Sequence, residues 1–332
     1  SYKQESPKPY YNARDIGLLR AKHADCPVVL TSATPSVETY HNTLIGKINY
    51  LILDEKFYKS QKPIIKIVNM LELVTPEHKQ TIISDELLNH IDITLKKNKQ
   101  IILLNNRRGY ASSVLFKANN ELILCDHCNV PMSFHKIRES LLCHYCDSNK
   151  LLTDKIDNAS GAVVLNGYGT EKIHEVLNGH FSDASISRVD SDSLRKKSLL
   201  SSVLSDFESG SIDILIGTQM ISKGLDFDNV ELVGVINADY GMFIPDFRSG
   251  EKVFQIISQV IGRSGRRERQ GTAIIQTYNP DDINLLNAIQ SKSKTFYSLN
   301  LAERNELQYP PFSRLCRLIF NGSNLDEVRN VA

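Results

Sequence analysis

Apolar residues along the chain gather into short runs rich in β-branched side chains, separated by longer stretches whose apolar positions recur at helical spacing. The runs are Pro27 to Leu30, Ile101 to Leu104, Ala162 to Leu165, Ile212 to Ile216, Val230 to Ile236 and Thr272 to Thr277. Short strands that are apolar on both faces are what a parallel sheet covered by helices requires. The pattern therefore predicts an α/β fold. A mixed, proline-containing stretch from Asp54 to Pro76 has no sustained period and reads as the connection between two lobes. There is no internal repeat and no low-complexity tract. Asn324 and Glu327 form a capping-box pair opening a helix that has barely begun at Ala332, and Ser1 is not an initiator methionine, so both termini are expected to be cut.

Length and composition change this picture little. The 332 residues, 41% of them apolar, suit a soluble chain of about two domains. No apolar run approaches the roughly 18 residues of a membrane span, and the start lacks a basic, apolar, small-residue leader. The expectation is a cytosolic (cytoplasmic) protein with no membrane partner. A net charge of +1 excludes a global basic field, so any nucleic-acid contact must come from local clusters. Three such clusters occur, at Arg107-Arg108, Arg195 to Lys197 and Arg263 to Arg269, the second of which reads as a solvated face.

Four of the six cysteines fall as Cys125-Asp-His-Cys128 and Cys143-His-Tyr-Cys146. Each Cys-x-x-Cys makes a tight knuckle that places two thiolates on one metal, and two knuckles complete a tetrahedral zinc sphere. With four cysteines no position is left for a catalytic water, so the zinc is expected to be structural. Pro131 and Phe134 in the spacer suit a compact hairpin. His127, His135 and His144 read as neighbours of the site rather than ligands, and Cys26 and Cys316 as buried thiols.

Several polar motifs follow predicted strands, where an open α/β sheet binds its ligands. Thr31-Ser-Ala-Thr34 leads into Pro35 and Glu38, and reads equally as a helix cap. Asn105-Asn-Arg-Arg-Gly-Tyr110 sets Arg107 and Arg108 beside a glycine and a ring, a set suited to phosphate oxygens. In Gly217-Thr-Gln-Met220 and Lys223-Gly-Leu-Asp-Phe227, glycines including Gly224 let the backbone approach a ligand, Thr218 and Lys223 suit a nucleic-acid backbone, and Asp226 suits a ribose hydroxyl or a coupling bond. Finally, Gln259-Val-Ile-Gly-Arg-Ser-Gly-Arg266 sets Arg263 and Arg266 three apart behind a glutamine, a pair that suits a nucleotide's γ-phosphate. No Gly-x-x-x-x-Gly-Lys-Ser/Thr loop occurs in the 332 residues.

In order and spacing these segments resemble the third to sixth motifs of superfamily 2 helicases, and in detail the primosomal replication-restart helicases, the primosomal protein N′ family. Ser1-Tyr-Lys-Gln4 is similar to the segment after that family's Asp-Glu-Glu-His magnesium motif, Pro9 to Asp15 to its aromatic-rich loop, and Thr31 to Thr34 to its Ser-Ala-Thr motif. Gly167 to Lys172, Arg188 to Asp192, Asp246-Phe-Arg-Ser249 and Tyr309-Pro-Pro-Phe312 match as well, with cysteine knuckles between the fourth and fifth motifs. The resemblance implies recA-like lobes with parallel sheets. Residues 1–53 would close the first lobe, 54–80 would link, 81–124 and 151–280 would form the second lobe around a zinc insertion at 125–150, and 281–332 would begin a C-terminal domain.

It also implies an ATP-dependent 3′-to-5′ DNA helicase of replication restart. Arg263, Arg266 and Gln259 would sense the nucleotide, with Gly224 and Asp226 beside the cofactor. Tyr10, Tyr11, Arg14, Arg107, Arg108, Thr218, Gln219 and Lys223 would meet DNA, whereas the lysine and carboxylates for Mg-ATP are not among these residues. Implied partners are single-stranded and forked DNA, single-stranded DNA-binding protein and other primosome proteins, which the zinc unit would help to dock. Two departures stand out. The family carries eight cysteines and two zincs where only four are present here, predicting one Zn2+ bound by Cys125, Cys128, Cys143 and Cys146. The family's arginine and histidine in the aromatic-rich loop are replaced by Tyr10 and Asn12. A second reading, a non-catalytic zinc-containing DNA-binding or scaffolding protein, is favoured by the missing cysteines and opposed by the arginines, for which a scaffold has no use.

Overall fold

The computed structural model describes residues 3–4, 11–53, 61–73, 81–105, 112–116, 121–127, 131–135, 140–143, 146, 148–151, 162–165, 168–189, 197–218, 227–239, 242, 246–264 and 270–316. They divide into two compact units, Ser1–Pro35 and Ser36–Ala332.

In the first unit, β1 (Lys3–Gln4) pairs antiparallel with β2 (Tyr11–Asn12), which runs into α1 (Ala13–Ala24). Asn12 caps that helix, its side chain accepting from the Arg14 amide at 3.1 Å. Asp25 ends it in the left-handed conformation, φ 46°. Pro27 to Leu30, predicted as a strand, is not one. It has no pairing partner among the described residues and Val29 is 83% exposed, and an apolar run forms a strand only where a neighbouring strand takes its amides. Cys26 and Cys316 are likewise exposed rather than buried, each lying in irregular chain beyond the end of a helix.

The second unit is built on a six-stranded sheet in which every pairing is parallel. Its strands are β3 (Ile64–Asn69), β4 (Gln100–Leu104), β11 (Ile186–Val189), β12 (Ile214–Gly217), β13 (Val230–Val235) and β14 (Thr272–Thr277), in the order β11-β12-β4-β13-β14-β3. Strand β3 lies inside the stretch that the sequence pattern marks as a connection. Its Ile64 and Ile67 are exposed at the sheet edge, so it lacks the doubly apolar signature of the central strands.

Alternate residues of the central strands feed two cores. Ile101, Leu103, Ile214, Ile216 and Leu232 point to the face covered by α3 (Asp85–Lys96) and α4 (Thr170–His180). Ile102, Leu104, Leu215, Val233 and Val235 point to the opposite face, covered by α5 (Lys197–Glu208) and α6 (Ser249–Ile261). Three further helices, α2 (Val37–Leu44), α7 (Ile283–Ile289) and α8 (Ser293–Glu306), contribute Val37, Leu285, Ala288, Phe296 and Tyr297 to this second core. The doubly covered sheet explains why these strands read as continuous apolar runs. Gly234 is needed where α3 crosses β13, because a Cβ there would lie 2.6 Å from Leu103 Cδ2 and 3.1 Å from Leu87 Cδ1.

A second, antiparallel sheet departs from the end of β4. It contains β5 (Ser112–Phe116), β6 (Glu121–Leu122), β7 (Ser133–His135), β8 (Ser140–Leu142), β9 (Asn149–Leu151) and β10 (Ala162–Leu165), in the order β10-β5-β7-β8-β9 with β6 also on β5. Ala162 to Leu165 therefore belongs to this sheet and not, as expected, to the parallel one. Strands β5 to β10 follow one another without a described helix between them, and parallel pairing needs such a crossover.

Candidate functional site

The two cysteine knuckles flank the β7–β8 hairpin, whose register pairs Ser133 with Leu142 and His135 with Ser140. The Leu124–Pro131 bridge and the bond from the Met132 amide to the Ile123 carbonyl, 2.9 Å, close the first knuckle, and the bond from the Cys143 amide to Ser148, 2.9 Å, turns the second. Ile123, Met132 and Leu141, close to the knuckles in the chain, are buried. This frame brings the sulfurs of Cys125, Cys143 and Cys146 within 4.8 Å of one another, with Cys125 and Cys146 3.6 Å apart. Tetrahedral zinc with bonds of about 2.3 Å sets sulfurs about 3.8 Å apart, so the cluster fits a zinc ion. Cys128, the predicted fourth ligand, lies outside the described residues. His127 Nδ1 is 3.9 Å from the Cys146 sulfur, the position of a neighbour to the site.

At the C-terminal edge of the parallel sheet, Leu104 pairs with Gly217, and the Asn105 amide donates to the Gly217 carbonyl at 2.8 Å. Asn105 is buried, its side-chain amide donating to the Tyr168 carbonyl at 2.8 Å. Asn105, two residues before the predicted Arg107-Arg108 pair, and the predicted DNA contact Thr218, which is also buried, thus share one edge. Arg107, Arg108, Gln219, Lys223, Gly224 and Asp226 lie outside the described residues.

Gln259 stands elsewhere. Because β13 and β14 are parallel, α6 must run back from the C-terminal edge of one to the N-terminal end of the other, and Gln259 is in its last turn. Gly262 caps the helix and Arg263 follows, half-buried, with burial pulling its guanidinium below the usual arginine range. The chain path thus sets Gln259 and Arg263 at the far end of α6 from the C-terminal edge that carries Asn105 and Thr218. Arg266 and Tyr10 lie outside the described residues. Tyr11 is exposed, and Arg14 forms an ion pair of 2.9 Å with Asp15.

Sequence reasoning missed Asp239. This buried carboxylate accepts from Thr277 Oγ1 and the Tyr278 amide, each at 2.7 Å, and from the Asn279 amide at 3.1 Å, fastening the end of β14 to the chain after β13. Burial, against those hydrogen bonds, pushes its pKa up to about 6. The available signal was an aspartate just past a predicted central strand.

The comparisons follow this geometry. Residues 147–268 match the helicase conserved C-terminal domain, and residues 125–150 match the PriA DNA helicase Cys-rich region. The fold and the site together define a helicase C-terminal domain of recA-like type carrying a zinc ribbon. Replication restart protein PriA of Chlamydia pneumoniae is 38% identical over 97% of this chain, and that of Bacillus subtilis 39% identical over 94%. The chain belongs to the PriA family. It spans 43% and 39% of the length of those two relatives. Among solved structures, S. cerevisiae Dbp5 bound to RNA and ADP BeF3 shares 15% identity at a TM-score of 0.40, covering 87% of this chain and 58% of that one, a likeness too loose to bear on the chemistry. Among the described residues no helix is long and apolar enough to cross a membrane.

Proposed function

We propose that this chain is the nucleotide-sensing and zinc-bearing part of an ATP-dependent 3′-to-5′ DNA helicase that acts in replication restart in the cytoplasm. The observation that carries the reading is the match to PriA relatives along 97% and 94% of the chain, with the Cys-rich region model falling on the cysteine knuckles. Arg263 and Arg266 stabilise charge developing on the γ-phosphate, and Gln259, in the last turn of α6, senses the same nucleotide. Tyr10, Tyr11, Arg14, Arg107, Arg108, Thr218, Gln219 and Lys223 hold single-stranded DNA through stacking and phosphate contacts, with Asp226 and Gly224 on the nucleotide side. The ribbon holds one structural zinc and serves as a wedge and a docking surface for single-stranded DNA-binding protein and other primosome proteins.

Lacking a phosphate loop and a magnesium-binding acidic motif, the 332 residues alone do not turn over ATP. The test is unwinding of forked DNA with a single-stranded 3′ tail, run in parallel on the intact protein and on this chain. The expected result is ATP-dependent unwinding by the former only. Unwinding by this chain alone, or none by the intact protein, would overturn the reading.

A further inference from the structure

A buried charge cluster joins three helices that the sequence reading keeps in separate domains. Arg304 of α8, with 2% of its side chain exposed, donates from Nη2 to Glu251 Oε2 at 2.7 Å. From Nη1 it reaches Glu38 Oε1 at 3.4 Å and the Pro310 carbonyl at 3.3 Å. Glu251 lies in the first turn of α6, and its other oxygen accepts from the Val37 amide of α2 at 3.3 Å and from Gln255 Nε2 at 3.1 Å. Glu38, the next residue of α2, also accepts from Arg248 Nε at 3.3 Å. Burial drives the Glu251 carboxyl above its ordinary range and Glu38 repels its charge, with Arg304 opposing both. At Glu38 the desolvation is outweighed by its own backbone amide and the two arginines, and the carboxyl lies below its ordinary range. Two residues further along α2, Tyr40 stacks on Tyr297 of α8 with centroids 4.2 Å apart. Phe247 stacks on Tyr309 at 4.9 Å while the Arg248 and Arg304 guanidinium groups sit 4.5 and 4.9 Å from its centroid.

Such a cluster is a poor way to gain stability. Buried ion pairs recover little beyond their desolvation cost, and Arg304 Nε is buried without a hydrogen-bond partner among the described residues. What the cluster does supply is a single geometry, because two carboxylates and one guanidinium fit together only when α2, α6 and α8 are in register. Its place in the chain gives that register a use. Helix α2 is the first element of the unit that begins at Ser36, and only Pro35 separates that unit from Thr31-Ser-Ala-Thr34. Proline fixes its own φ and narrows the choices of the residue before it, so the junction has fewer free torsions than another residue would leave.

We propose that Glu38, Glu251 and Arg304 latch α2 onto α6 and α8, making α2 a strap that delivers displacements of the 36–332 unit directly to residues 31–34. The latch stands on the contacts alone, whereas its use in ATP-driven motion rests on the proposed function.

Hydrogen exchange on the 332-residue chain tests the latch. With Glu38→Gln, a change of one atom, the amides of α2 are expected to exchange at least ~10-fold faster while those of β4, β12, β13 and β14 keep their protection. Arg304→Lys, whose ammonium reaches one carboxylate at a time, should give an intermediate rate. Unchanged exchange in α2, or an equal loss throughout the chain, would overturn the latch. In the intact protein, Glu38→Gln is expected to keep ATP turnover within ~2-fold and to lower base pairs unwound per ATP by at least ~5-fold, the signature of a coupling element rather than a chemical one. Loss of both in proportion, or of neither, would overturn the strap. Absence of turnover in the unsubstituted protein would overturn the functional reading instead, and the exchange result would decide the latch by itself.

Discussion

At the scale of single residues, Asp239 is the group whose environment departs most plainly from water. Its folded pKa of about 6 lies above the ordinary value of 3.8, so the folded state holds a proton more tightly than the unfolded chain. The stabilisation is therefore complete below about pH 4 and is lost as pH rises through about 6. At about 1.4 kcal/mol per pH unit, the difference amounts to about 3 kcal/mol. Urea unfolding of the parent and of Asp239→Asn at pH 4.5 and pH 7 should show the parent's advantage over the variant larger at pH 4.5 by about 2 kcal/mol. An advantage independent of pH would place the Asp239 pKa at its ordinary value. The variant corrects for the cysteines and histidines that also titrate over this range. Asp239 could not be singled out from the sequence, because its burial depends on the packing of Tyr278 and Asn279, some 40 residues away. The cysteine cluster was legible, since a two-residue spacer fixes knuckle geometry by itself and needs no tertiary information.

At the scale of elements, legibility followed burial on two faces. Strands β4, β12, β13 and β14 are covered on both sides, and their apolar runs mark them without ambiguity. Strand β3 is an edge and left no such run, and β10 has an apolar run but pairs in the other sheet, since composition does not encode the partner. Helix α3 is not singled out in the sequence; in the structure Ser84 opens it, its hydroxyl accepting from the Leu87 amide at 3.2 Å ahead of an apolar face. Tertiary support is added by Gln276, fully buried, whose side chain takes the Ser84 amide at 2.8 Å and donates to the Ile82 and Ile236 carbonyls. In the ribbon Ile123, Met132 and Leu141 are buried apolar side chains among the described residues, and a zinc held by the knuckles would add its binding free energy to folding. Native mass spectrometry of the chain should show one bound zinc, lost in Cys143→Ser, with the parallel sheet still protected from exchange in that variant. Two zincs, or none, would contradict the four-cysteine assignment.

At the scale of the whole molecule, the parallel sheet sets one group of predicted contacts at the C-terminal edge of β4 and β12, and α6 carries the other to the opposite end of the sheet. Gln259 and Arg263 therefore stand at a different place on this doubly covered core from Asn105 and Thr218. The proposed α2 strap ends at the covalent junction with residues 31–34. Sequence legibility at this scale came from motif order, and what it missed was the attachment of α2 and α8 to the same core, a matter of packing at Val37, Tyr40, Phe296 and Tyr297. The most direct test of the account is DNA-stimulated ATP turnover by the intact protein with and without Arg263→Ala. The account predicts a fall in kcat of roughly 10³-fold with zinc content and DNA affinity preserved. Turnover in Arg263→Ala equal to that of the parent would contradict it.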